Sequence, residues 1–366
     1  MIDRDWEGRP AAVFGVCWWN RKSAKGLLGG NRVQPVFSNS FEVSLDYAKR
    51  NDGCVVGWAS RISSRDEAAC LAAGTPLVRV EDGFLRSVGL GAGLAPAASL
   101  VLDSRGIYYD STRPSDIEWM LEHVELDEQQ RERGAKLRQK IVASRLSKYN
   151  LGDRLGIDEF PADKCKVLVP GQVADDAAII KTQSDTIDLV NVKNINIELL
   201  KAARKNNPDA FIIYKPHPDV ASGLRKGRVR DDEALCFADR VITNVDIIEL
   251  IELCDRVETL SSLSGFEALL RGKSVTVHGL PFYAGWGLTT DMTLPPRRTR
   301  MRNIDELTYI ALVAYSHTLD PVTFQLVEPE ELIETLSTLR QSRFLKLKNA
   351  LRLWVALIGD KLNPYS

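Results

Sequence analysis

Short apolar runs rich in β-branched residues recur through the second half of the chain: CKVLVPG (165–171), FIIYKP (211–216), RVITN (240–244), RVETL (256–260) and SVTVHG (274–279). Between them lie stretches with helical spacing, NIELLKAARKNN (196–207), VDIIELIELC (245–254) and GFEALLRGK (265–273). Near-continuous apolar strands alternating with helices predict a parallel sheet covered on both faces, a Rossmann-like domain centred on residues 160–305. The first half is less regular. AAVFGV (11–16), CVVGWAS (54–60) and TPLVRV (75–80) read as buried strands, and SLVLDSRGIYYD (99–110) reads as a hairpin turning at Ser104–Gly106. PSDIEWMLEHV (114–124) predicts a helix with Ser115 and Glu118 at capping-box spacing, and a long charged helix over 127–146 leads toward the second domain.

The expected organisation is α/β: residues 1–158 as a first domain, 159–320 as a second, and 321–366 as a C-terminal helical segment. Two such domains in tandem imply a ligand cleft between them, at the carboxyl ends of the strands. Within the last segment, Phe344, Leu347, Leu351, Trp354, Val355, Ile358 and Leu362 repeat at helical spacing. They are accompanied by Arg340, Arg343, Lys346, Lys348 and Arg352. A basic helix carrying a Trp suits the surface of an anionic membrane; the alternative is a terminal helix packed on the domains.

Composition narrows the partners. The formal net charge is -1, so there is no electrostatic case for bulk nucleic-acid binding. The six cysteines lie far apart with no CxxC pair and no adjacent His, which predicts reduced thiols and no metal or redox centre. The start, MIDRDWEGRP, carries acids and no apolar core, and no window approaches the ~20 apolar residues of a membrane span. A cytoplasmic location is expected.

Several segments carry residues suited to chemistry. In YKPHPDV (214–220), Lys215 and His217 are donors fit for a phosphate or ribose, and Pro216 and Pro218 stiffen the loop; a rigid surface turn is the plainer reading. In TLSSLSGFEALLRGK (259–273), Ser261, Ser262, Ser264 and Gly265 gather hydroxyl and N–H groups at a helix start, an anion site unless Ser264 is only an N-cap. VPGQVADDAA (169–178) sets Gln172, Asp175 and Asp176 after a strand, where a carboxylate could be a nucleophile or base, or simply cap a helix. RVEDGFLRSVGLGAG (79–93) offers Glu81 or Asp82 as a base and Arg86 as a clamp for a carboxylate, or a buried Glu–Arg pair. Its GLGAG is a poor dinucleotide fingerprint because no helix follows. GLPFYAGWGLTTD (279–291) suits a flexible wall stacking on a base or sugar, or aromatic core plugs.

The blocks EDGFLRSVGLG, GIYYD with PSDIE, KYN, PGQVADD, NPDAFIIYKPHPDV with GLRKG, SLSGFEALLRGK and PFYAGWGLTTD followed by RR span roughly 80–300. In this order they resemble the β-Kdo transferase family of bacterial capsule assembly. The resemblance implies a GT-B fold, CMP-β-Kdo as donor substrate with no separate cofactor or metal, and retention of the β configuration. The implied acceptor is the oligo-Kdo linker of a lipid-anchored capsule glycan; the implied setting is the cytoplasmic face of the inner membrane, beside other capsule-biosynthesis proteins. It carries CMP contact onto His217 and Pro218, phosphate contact onto Ser261 and Ser262, and a QxxxD pattern onto Gln172 and Asp176, with Asp176 as the residue that forms a covalent Kdo adduct. Family members typically carry two such modules, and FGVCWWNRKSAKGLLGG (14–30) looks like the start of the second. Ala178 stands where the family suggests Ser, and an insert-like IIKTQSDTIDLVNVKN follows. The other readings are a GT-B enzyme or epimerase acting on a different nucleotide sugar, and a non-catalytic glycolipid-binding module.

Overall fold

The computed structural model describes residues 6–29, 33–87, 95–148, 160–223 and 225–341. The first sheet contains β1 (Ala11–Phe14), β2 (Val36–Ser38), β3 (Cys54–Trp58), β4 (Leu77–Asp82) and β5 (Ser99–Asp103). The second contains β6 (Lys166–Pro170), β7 (Phe211–Lys215), β8 (Arg240–Val241), β9 (Arg256–Thr259), β10 (Ser274–Val277) and β11 (Thr290–Asp291). The chain then returns to the first sheet with β12 (Ser316–Leu319) and β13 (Leu326–Val327), giving the orders β13-β12-β5-β4-β3-β1-β2 and β11-β10-β9-β6-β7-β8.

Every pairing in the second sheet is parallel, as the apolar runs predict. Alternation along the strands explains why those runs are near-continuous. Leu168 and Ile213 enter one core, whereas Val167, Val169, Ile212 and Tyr214 enter another on the opposite face. Each such side chain contributes roughly 1.5–3 kcal/mol on burial. The helix Ile195–Asn206, N-capped by Asn194, closes that second face with Ile195, Leu199, Leu200 and Ala203.

The first sheet is mixed: β1 to β4 run parallel, while β5 is antiparallel to both β4 and β12. Two expectations are corrected here. No second strand follows β5, so 99–110 is not a hairpin. The Asp103 carboxylate instead accepts from the backbone N–H groups of Arg105, Gly106 and Asp116 and from the Tyr315 hydroxyl (2.7 to 3.0 Å), which turns the chain without a partner strand. The domain limits also shift, because Ser316–Leu319 and Leu326–Val327 complete the first sheet rather than a second domain or a purely helical tail.

The charged helix runs over Glu128–Ala143 and buries only Gly134, Leu137 and Ile141. Its polar face is matched by the later chain: Arg138 to Asp305 (2.6 Å), Arg133 to Glu330 (2.9 Å) and Lys140 to Glu334 (2.6 Å). Single exposed pairs contribute at most about 1 kcal/mol, but the series fixes where the helix lies.

An aromatic core joins the two halves. Phe84, just after β4, stacks on Phe282 at 4.5 Å between centroids, and Phe282 meets Phe266 at 5.2 Å. The RR segment adds a polar clasp: the Glu118 carboxylate accepts from Arg297 (2.7 Å) and Arg298 (2.9 Å), and Arg302 donates to the carbonyls of Leu121 and Val124, both at 2.7 Å. Most of the basic apolar stretch at 340–362 lies outside the described residues, as does GLGAG (89–93). Arg340, which is described, ends the helix Pro329–Gln341. It binds Asp246 and the Arg145 carbonyl.

Candidate active site

A cavity of about 620 Å³ opens where the carboxyl ends of both sets of parallel strands face each other. From the first sheet come Glu81 and Asp82 at the end of β4, Arg86 beyond it, and Tyr108 and Tyr109 in the turn after β5. From the second sheet come Gly171–Val173, Asp175 and Asp176 after β6, Lys215–Asp219 at the end of β7, Ser261–Ser264 after β9 and Pro281–Tyr283 after β10.

The β7 loop is built for a neutral donor. His217 caps the short turn Pro218–Ala221, with its Nδ1 accepting from the Asp219 backbone N–H at 3.1 Å, so the neutral ring carries its proton on Nε2. Burial, reinforced by Lys148, Lys215 and Arg225, pushes the imidazole down to about 3. Pro218 occupies the first helical position, where its missing N–H costs nothing. Lys215 is buried; its ammonium donates to the Thr243 carbonyl at 3.1 Å, and desolvation lowers it to about 8 despite the nearby Asp246. It remains largely a cation at neutral pH.

The β6 loop separates its two aspartates. Asp175 is exposed and its Oδ1 accepts twice from Arg225, at 3.2 and 3.3 Å. Asp176 is half-buried, and its Oδ1 accepts the Ala178 N–H at 2.9 Å as N-cap of Ala177–Ile180. Its Oδ2 has no hydrogen bond among the described residues. Capping and a cavity-facing role thus coexist, with the cap fixing the carboxylate.

Gln172 staples two strand ends together. Its Oε1 accepts from Thr259 Oγ1 and from the N–H groups of Leu260 and Ser261 at 3.1 to 3.2 Å, joining the ends of β6 and β9. After β9 the N-cap is Ser262, not Ser264; its Oγ accepts the Ser264 N–H, and the helix starts at Leu263. Ser261 Oγ donates to the Ala178 carbonyl at 3.3 Å, tying this turn to the Asp176 helix. Gly265 is held by close packing. Its N–H bonds the Ser262 carbonyl, and a Cβ there would lie 2.2 Å from the Tyr283 hydroxyl.

On the first-domain side, Arg86 is buried and donates to Asp82 Oδ2 at 2.5 Å, so the clamp pairs with Asp82 rather than Glu81. Burial, with Asp82 and Asp176 nearby, raises the Glu81 carboxyl to about 8. Two carboxylate oxygens, Oδ1 of Asp82 and Oδ1 of Asp219, are buried without a hydrogen bond. Such atoms need donors. Among the described residues no group of three or more His, Cys, Asp or Glu is arranged to hold a metal ion.

Residues 53–319 match the family described as capsule polysaccharide biosynthesis protein. The chain belongs to this family. Among curated relatives it is 38% identical over 346 residues to capsule polysaccharide modification protein LipA of Neisseria meningitidis serogroup A, covering 92% of this chain and 46% of LipA. It is also 38% identical over 310 residues to lipopolysaccharide-processing protein LpsZ of Rhizobium meliloti, covering 83% of this chain and 68% of LpsZ. The chain therefore spans about half the length of LipA. Among solved structures it resembles the β-Kdo 2,4 transferase of Thermosulfurimonas dismutans KpsC, with 30% identity, TM-score 0.77, and coverage of 92% of this chain and all of that one. The β-Kdo 2,7 transferase of the same protein has 32% identity, TM-score 0.72, and coverage of 91% of this chain and all of that one. The fold is thus GT-B-type, two α/β domains about a cleft.

The aromatic loop of this family member departs from the expected flexible wall. Tyr283 and Trp286 are fully buried, the Trp286 indole N–H donates to the Phe282 carbonyl at 2.8 Å, and only one edge of the loop borders the cavity. Sequence reasoning also passed over Tyr108, Tyr109, Lys148, Arg225 and Glu267, which line the cavity. Glu267 accepts the Lys148 N–H at 2.8 Å, and burial raises its carboxyl to about 7. Their signal was present in the quoted blocks GIYYD, KYN, GLRKG and SLSGFEALLRGK, but these residue types announce no single chemistry.

Proposed function

We propose that the protein is a retaining β-Kdo glycosyltransferase that uses CMP-β-Kdo to extend an oligo-Kdo linker on a lipid anchor in capsule polysaccharide biosynthesis. The observation that carries this reading is Asp176, a capped carboxylate on the cavity wall with one oxygen unengaged. An Asp176 oxygen attacks the anomeric carbon of the donor sugar, the bond to the phosphate oxygen breaks, and CMP leaves with that electron pair. The acceptor hydroxyl then attacks the same carbon from the opposite face, Glu81 takes its proton, and the Asp176 carboxylate departs. Two inversions restore the β configuration.

The neutral His217 N–H, the Lys215 cation and the Ser261 and Ser262 turn suit the CMP moiety at the strand ends of the second sheet. Arg225 neutralises Asp175, which leaves Asp176 as the nucleophile. Gln172 positions the Ser261 turn against β6. Similarity to Kdo transferases in both solved relatives supports the sugar. The reading requires no cofactor beyond the donor substrate and sets the protein at the cytoplasmic face of the inner membrane with other capsule-assembly proteins. Among the described residues no helix is long and apolar enough to cross a membrane.

The deciding experiment is mass spectrometry of the protein incubated with CMP-Kdo, which should find a sugar adduct on Asp176. An adduct elsewhere, or a preference for UDP over CMP in calorimetry, defeats the reading.

A further inference from the structure

The first-domain wall of the cavity carries a group that the transfer steps leave unused. Cys17, Trp19 and Asn20 follow β1, and Trp58, Ser60 and Arg61 lie at the end of β3. β1 and β3 are parallel neighbours with Phe14 opposite Gly57, so the two sequence segments emerge side by side at the cavity mouth. Asn20 anchors the first, its Oδ1 accepting the Ala97 N–H at 3.1 Å in a buried contact. Trp18 is 69% exposed and meets Trp19 edge-on at 5.8 Å between centroids.

Arg61 differs from two other arginines of this cavity. Arg86 is matched by Asp82 and Arg225 by Asp175. Arg61 is exposed, donates only to the soft Cys17 Sγ at 3.6 Å, and makes no ion pair among the described residues. Its stem is nevertheless held: Gly15, at φ +73°, leaves room for it, and a Cβ there would stand 3.0 Å from Arg61 Cδ. A pinned stem with an unmatched head loses little rotamer freedom when an anion arrives.

Indole faces stack on the C–H face of a pyranose, and a guanidinium grips a carboxylate with two parallel N–H bonds. The donor side is the opposite wall, so an anion held here belongs to the second substrate. We infer that Trp19, Trp58 and Arg61 form the acceptor subsite, and that it takes a glycan ending in a sugar acid, ring against the indoles and carboxylate on Arg61. The inference rests on the transferase reading given above. A bare phosphate, such as a lipid headgroup offers, engages only the arginine.

Calorimetry on the full chain separates these cases, using CMP, the methyl β-glycoside of Kdo, its carboxamide and glycerol phosphate. The acid should bind at least about tenfold tighter than the amide, the span expected for a charged hydrogen-bonded contact. R61Q should bring the acid to the amide value, and W19A should weaken both sugars alike, with CMP binding unchanged in each variant. An acid preference that survives R61Q overturns the subsite, as does glycerol phosphate binding as well as the sugar acid. CMP binding with no discrimination between acid and amide strikes the subsite alone, whereas a wild-type chain that fails to bind CMP strikes the transferase reading itself.

Discussion

The Asp219 backbone N–H donates to Nδ1 of His217 at 3.1 Å, which commits that imidazole to a single neutral tautomer. With the ring held near 3 by burial, its proton inventory does not change between pH 5 and 8. H217A should therefore weaken CMP binding by roughly 10–100-fold, the loss of one hydrogen bond to a charged group, at pH 5.5 and 7.5 alike. Calorimetry at both values measures this. An NMR titration of His217 with a midpoint at the ordinary imidazole value would remove its basis.

Asp176 and Asp175 should respond unequally to the same change. D176N keeps the acceptor that caps Ala178 but loses the carboxylate, so transfer should fall by at least about a thousandfold with little change in thermal midpoint. D175N removes only an exposed partner of Arg225 and should stay within about tenfold of wild type. Single-turnover assays with CMP-Kdo compare them; equal losses would mean that Asp176 has no special role.

Glu81 links activity and stability to pH. Its folded value of about 8 lies above the ordinary 4.5, so the native state holds a proton that the unfolded chain has lost between those limits. Stability from this group is complete below 4.5 and falls as pH rises through 8. Denaturant midpoints for E81Q should thus gain on wild type from pH 6 to 8.5. If Glu81 takes the acceptor proton, kcat/KM for wild type should climb toward pH 8 and the variant should lack that limb. A flat wild-type profile would assign the base elsewhere.

Glu118 holds Arg297 and Arg298 while its side chain is almost wholly buried. E118A leaves Arg298 buried and uncompensated, which should cost on the order of 3–5 kcal/mol in urea unfolding. A loss no larger than that of the exposed-pair variant E334A would show that the clasp is not structural.

The second sheet was legible because its central strands are buried on both faces, which writes near-continuous apolar runs into the sequence. The charged helix and the Ser115 cap were equally readable, although the Glu118 carboxylate left its capping-box role for Arg297 and Arg298. What failed depends on distance in sequence. Nothing local announces that Ser316–Leu319 pairs with β5, or that Asp103 replaces the second arm of a hairpin. In the site, residue types located the cleft, but not that Asp176 caps a helix, which of three serines caps the next one, or that the Gly-rich aromatic loop is core. Those outcomes turn on which carbonyl or ring lies opposite, information that pattern does not hold.

The return of the chain to its first sheet has a consequence for synthesis. β6 to β11 are complete while β12 is still inside the ribosome, so the second lobe can close on its own strands as it emerges. The first lobe must wait, its β5 edge bare, until residues 316–327 are extruded. Chains truncated after residue 315 and released from the ribosome should accordingly show a protease-resistant second lobe and a sensitive first one.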